Sequence, residues 1–142
     1  MPAICVMEPK YTCPIVNKKS YMAFVPATVL AAGIAVLSLW ENPCLPEGFA
    51  GSDKMWHGLM YALLSAALMG GFILIRQARI RMYVYAVLAA SAYGALLELL
   101  QHCCTATRTG EMMDVYADCL GAIIGVLVVA LLYYGRRCVK RK

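Results

Sequence analysis

The stretch Val115–Tyr134, VYADCLGAIIGVLVVALLYY, reads as a helix that crosses a lipid bilayer. Asp118 is its only charged residue, and its length matches the roughly 20 residues that span a hydrocarbon core of about 30 Å. Lipid offers no partner to backbone N–H and C=O groups, so an isolated apolar run must satisfy them internally as a helix. Directly after it comes a basic tail holding Arg136, Arg137, Lys140, Arg141 and Lys142. Working back toward the N-terminus, three further apolar stretches of similar length cover residues 82–101, 55–75 and 21–40. Pro26 lies near the start of the first, where a missing backbone donor costs least. The expected fold class is therefore all-α, an integral membrane bundle of four transmembrane helices. Residues 1–20 form an N-terminal segment, 21–135 the membrane domain and 136–142 the tail.

Composition agrees. Of 142 residues, 62% are hydrophobic and 15% charged, against about 25% charged in soluble domains. Residues 1–20 lack the continuous apolar run of a signal peptide. Cysteines at 5, 13, 44, 103, 104, 119 and 138 form no CxxC pair and no zinc spacing, and their odd number argues against a disulfide framework. They read as small apolar residues of the helices, with a Cys44 bridge to Cys103 or Cys104 left open.

Charge sets the orientation. All but Lys54 and Arg108 of the 13 Lys and Arg fall in the N-terminal segment, the second connection or the tail. Keeping those regions inside puts both termini in the cytoplasm. The first and third connections, about 41–54 and 102–114, carry Glu41, Glu47, Asp53, Glu111 and Asp114 and face outward. Trp40, Trp56, Tyr83, Tyr133 and Tyr134 then sit at span ends, as interfacial aromatics do. Topology explains the net charge of +5 better than nucleic acid does, so no nucleic-acid partner is expected. The tail could hold anionic headgroups at about 1 kcal/mol per near-surface charge, but retention of topology already accounts for it.

The outer charges continue into the spans as stripes. Asp53, His57, Tyr61 and Ser65 recur every four residues; Ser91, Gly94, Glu98 and Gln101 occupy one face of the third span; Asp114, Asp118, Gly121 and Gly125 occupy one face of the fourth. A carboxylate at a helix centre costs about 2.5–3.5 kcal/mol on insertion scales, so Glu98 and Asp118 need partners. His57, Lys54, Arg108, Gln101 and Tyr61 are within sequence reach of the same depth. Contacts of this kind between membrane helices contribute only about 0.6 kcal/mol on average, which favours a functional polar site over groups that merely fix packing. Gly121 and Gly125 form a small-xxx-small pair that admits a neighbouring helix. Packing within the chain is the preferred use, and homodimerisation the other.

Residues 52–64, SDKMWHGLMYALL, resemble the Asp-Lys-x-x-His-x-x-x-Tyr segment of VanZ-like bacterial membrane proteins. Residues 93–101, YGALLELLQ, are similar to that family's Gly-x-x-x-Glu-x-x-Gln helix. Arg108, Asp114 and Gly121 through Gly125 resemble its closing Arg…Asp…Asn-x-x-Gly-x-x-x-Gly pattern. The likeness covers about residues 52–130. One position departs: Asp118 stands where the family usually has Asn, which adds a potential negative charge beside the glycine face. The resemblance implies a multi-pass protein of the bacterial cytoplasmic membrane that acts on the cell envelope, with resistance to the glycopeptide teicoplanin as the associated phenotype. It does not supply a reaction.

Three classes of function remain. In the first, the outer site binds or modifies an envelope lipid or a lipid-linked cell-wall precursor. As an enzyme it would use Glu98 or Asp114 as general base and His57 as the acid partner. Arg108 or Lys54 would hold a phosphate or carboxylate, and Asp53, Tyr61, Gln101 and Asp118 would complete the binding face. The same His and carboxylates have donor atoms for a cation, but no spacing such as HExxH supports one, so no metal and no cofactor is assigned. In the second class Glu98, Asp118 and His57 relay protons in a small transporter. In the third the bundle is a non-catalytic scaffold.

Overall fold

The computed structural model describes residues 18–39, 53–104 and 112–139, all helical apart from short turns and the connection at 75–79. Its elements are α1 (Lys18–Met22), α2 (Val25–Leu39), α3 (Asp53–Leu74), α4 (Ile80–Cys104) and α5 (Met112–Val139). No strand occurs among the described residues. The runs Lys54–Leu74, Ile80–Cys103 and Met112–Val139 are long and apolar enough to cross a membrane, with α5 the most hydrophobic at a mean hydropathy of 2.4.

The first apolar stretch departs from the expected continuous span over 21–40. It breaks at Ala23–Phe24, leaving the 15 residues of α2, or about 22 Å of helix. Pro26 supplies the reason. It has no N–H to give to the carbonyl four residues back, and its ring would press on that carbonyl at Met22. The chain instead tightens, Phe24 N donating to Tyr21 O at 3.1 Å, and restarts with Thr28 N donating to Phe24 O at 3.0 Å. Trp40 lies outside the described residues.

The surface is inside out relative to a soluble protein. Large apolar side chains such as Leu59, Leu63, Leu88, Leu96, Leu120, Ile124 and Leu131 face outward, Leu131 with 74% of its surface exposed. The interior holds small residues, among them Ala27, Ala86, Ala90 and Ala122, and the polar Ser65, Glu98, Gln101 and Asp118. Lipid contributes no hydrophobic drive between helices, so close backbone approach and interior polar contacts hold such a bundle.

Helix α5 packs most extensively on α3, and α4 lies against both. The α3–α5 seam is a backbone contact. A Cβ on Gly121 would collide with the carbonyl of Gly58, and one on Gly125 would collide with Ala62 O and Ser65 Oγ. The small-xxx-small pair is thus consumed within the chain, as preferred from sequence. Ser65 Oγ crosses the seam to donate to Ala122 O at 2.8 Å. Because Gly58 meets Gly121 and Ala62 meets Gly125, α3 and α5 run parallel, with α4 returning between them. Helix α2 also runs opposite to α3: Phe24 meets Phe72 at 5.2 Å between ring centroids, while Ser38 at its other end accepts from Gln101.

This topology gives the bundle two unlike ends. One collects Arg76, Arg79, Arg81, Arg136 and Arg137 with an aromatic group in which Tyr83 stacks on Tyr134 at 6.5 Å and Arg137 lies 4.7 Å over the Tyr133 ring. Tyr83 is buried there instead of facing lipid. The turn from α3 to α4 is a Schellman cap: Arg76 N donates to Ile73 O at 3.0 Å and Gln77 N to Phe72 O at 2.8 Å. Its left-handed position, φ 60°, is occupied by Arg76 where glycine would fit without the usual cost of about 1 kcal/mol or more. The other end holds the carboxylates of the described residues.

Candidate polar site at the acidic end of the bundle

Three helices each deliver one ionisable side chain to a common point. His57 on α3, Glu98 on α4 and Asp118 on α5 lie about 6–9 Å inside their helix ends, counting 1.5 Å per residue. His57 Nδ1 is 3.2 Å from Asp118 Oδ1 and 3.8 Å from Glu98 Oε1. The first is a hydrogen bond between residues 61 positions apart in the chain; the second is longer than a direct bond and reads as an ion-pair contact. Asp118 is completely buried, Glu98 is 7% exposed, and His57 is the half-buried member that closes the cluster from outside.

Asp118 reaches this depth because of Gly94. A Cβ there would lie 2.5 Å from Asp118 Oδ2 and 3.1 Å from its Cβ, so the missing side chain on α4 is the notch that the carboxylate fills. Oδ2 has no hydrogen-bond partner among the described residues. A buried carboxylate oxygen without a donor is costly, and native structures rarely keep one without a use.

The remaining stripe residues surround this centre. Tyr61 and Ser65 are buried one and two turns along α3 from His57. Gln101 Nε2 donates to Ser38 O at 2.7 Å and so ties α4 to α2. Tyr93 performs the same service lower down, its hydroxyl donating to Ala31 O at 2.7 Å. Those two bonds were not among the pairings expected from sequence, since a backbone carbonyl acceptor leaves no residue-type signal. Asp114 lies one turn outward of Asp118, where Lys54 Nζ stands 3.6 Å from Oδ1. The structure therefore brings His57, Glu98 and Asp118 together and places Asp114 with Lys54 at the rim. Asp53 opens α3, but its side chain lies outside the described residues, as do Arg108 and Cys44.

An imidazole held between two carboxylates can accept, donate or share a proton, and the same three groups present one nitrogen and two oxygen donors to a cation. Beneath them the core turns apolar, built from Met69, Tyr83, Ala86 and Val126 with Phe72 and Ile73 packed alongside. Among the described residues, the buried carboxylates lie at one end.

No family model, curated protein or solved structure matches this chain in the comparisons made.

Proposed function

We propose that the chain is a VanZ-like integral membrane protein of the bacterial cytoplasmic membrane, crossing it four times, the first crossing made by α1 and α2 together, with both termini inside. Its acidic end acts on the outer leaflet, where it binds or modifies an envelope lipid or cell-wall precursor. The observation that carries this reading is the convergence of His57, Glu98 and Asp118 at the end of the bundle opposite the basic residues. Support also comes from the three sequence segments that resemble the family. Two of them carry His57 and Glu98, and the third runs through Asp114 and the glycines that seat α5 on α3. The apolar inner core favours a one-sided site over a proton relay, because among the described residues no buried charge lies beyond Glu98 and Asp118 toward the basic end.

Orientation is tested with chains keeping a single cysteine. A membrane-impermeant thiol reagent added to intact cells should label Cys103 at the acidic end and spare Cys138 at the basic end, both of which are exposed. Labelling of Cys138 alone would reverse the topology. Function is tested by expressing the protein in a teicoplanin-sensitive Gram-positive host. Wild type should raise the inhibitory concentration, and His57→Ala or Glu98→Gln at equal membrane abundance should abolish the rise. Full resistance with both variants would remove the site from the activity, and no effect of wild type would remove the resistance reading.

A further inference from the structure

We propose that His57, Glu98 and Asp118 bind a divalent transition-metal ion of borderline hardness, of the Zn²⁺ or Co²⁺ type. The geometry of these three residues carries this, independently of the envelope reading. Their donor atoms all lie within 4.8 Å of one another. Protein donors on one such ion have bond lengths of about 2.0–2.2 Å, which sets them about 3.0–3.5 Å apart. His57 Nδ1 and Asp118 Oδ1, at 3.2 Å, already stand at that separation. Glu98 Oε1, 3.8 Å from the same nitrogen, reaches it by a small rotation of a flexible side chain.

Asp118 supplies the independent indication. Its side chain is fully buried and directed at His57, yet Oδ2 has no hydrogen-bond partner among the described residues. A cation bound through Oδ1 neutralises this buried carboxylate, whose Oδ2 sits in the Gly94 notch, and its two positive charges offset two buried negative ones beside a neutral imidazole. The donor set decides the class of ion. One nitrogen and two carboxylates, with no thiolate, suit Zn²⁺, Co²⁺, Mn²⁺ or Fe²⁺ better than Cu⁺, and the imidazole disfavours Mg²⁺ and Ca²⁺. Three protein ligands leave at least one coordination position for water or an anionic ligand oxygen.

The test uses the full chain in detergent, stripped with chelator and re-equilibrated with Co²⁺. Expected are one ion per chain by elemental analysis and visible ligand-field bands without thiolate charge transfer. Glu98→Gln and Asp118→Asn keep the side-chain shape and carry the test even where His57→Ala does not fold. Loss of a second-shell partner already weakens metal binding about 10–100-fold, so each of these ligand losses should weaken it by about a hundredfold or more. Wild-type uptake no greater than that of a Glu98→Gln/Asp118→Asn double variant overturns the proposal. Thiolate charge-transfer bands from cysteine ligation overturn it too. Metal uptake without any effect on teicoplanin sensitivity would sustain this inference while removing the resistance reading, so the two fail separately.

Discussion

Gly121→Ala should unseat α5 from α3 and destabilise the bundle by about 2 kcal/mol, whereas Gly70→Ala should leave it unchanged or slightly more stable. The substitution is the same in both cases, and only the surroundings differ. At Gly121 the new methyl meets the O, C and Cα atoms of Gly58, which is backbone and cannot rotate away. Forcing extra volume into a packed contact costs about 1–3 kcal/mol, and an obstacle of backbone belongs at the upper end. Alanine returns at most about 1 kcal/mol through helix propensity. Sterics therefore win at Gly121. At Gly70, on α3 across the seam from α5, nothing lies within 4 Å of the added carbon, so only the propensity gain remains. Unfolding of the purified protein in mixed micelles with increasing SDS reads both. Equal stability of the two variants would mean that the α3–α5 backbone contact is not where it is placed here.

The second large effect concerns the charge pair. His57→Ala, measured in the presence of chelator so that no ion contributes, should cost about 3–5 kcal/mol, because it strips the hydrogen-bond partner from a carboxylate with no exposed surface. Adding Asp118→Asn to that variant should restore part of the loss, since a neutral amide suffers far less from burial. The double-mutant cycle should therefore show a coupling of about 1–3 kcal/mol between the two residues. Energies that add to within about 0.5 kcal/mol would indicate that the imidazole and carboxylate do not interact.

Much of the site was legible as periodicity. Tyr61 and Ser65 behind His57, Gly94 and Gln101 around Glu98, and Gly121 and Gly125 behind Asp118 all turn inward, as spacings of three and four residues require. Spacing could not rank the two aspartates. Asp114 and Asp118 occupy the same stripe, and the choice between them depended on depth: Asp118 enters the notch at Gly94, while Asp114 stays at the rim with Lys54. The ligand set was invisible for a related reason. A motif such as HExxH is readable because one helix presents both ligands, whereas here each donor comes from a different helix. The broken first span was the converse case. Pro26 was visible, but whether the chain would tolerate it within one helix depended on the local hydrogen bonds at Tyr21 and Phe24.

By itself, the sequence determined that this chain is helical and apolar enough to span a membrane, because hydropathy over some 20 residues and the absence of backbone partners in lipid leave no other local solution. It also determined that three polar faces exist, because side-chain direction follows from helical pitch alone. Only the tertiary structure decided that these faces meet. That outcome depends on how closely the helices approach, and glycines at 94, 121 and 125 set the approach through contacts between residues far apart in the chain.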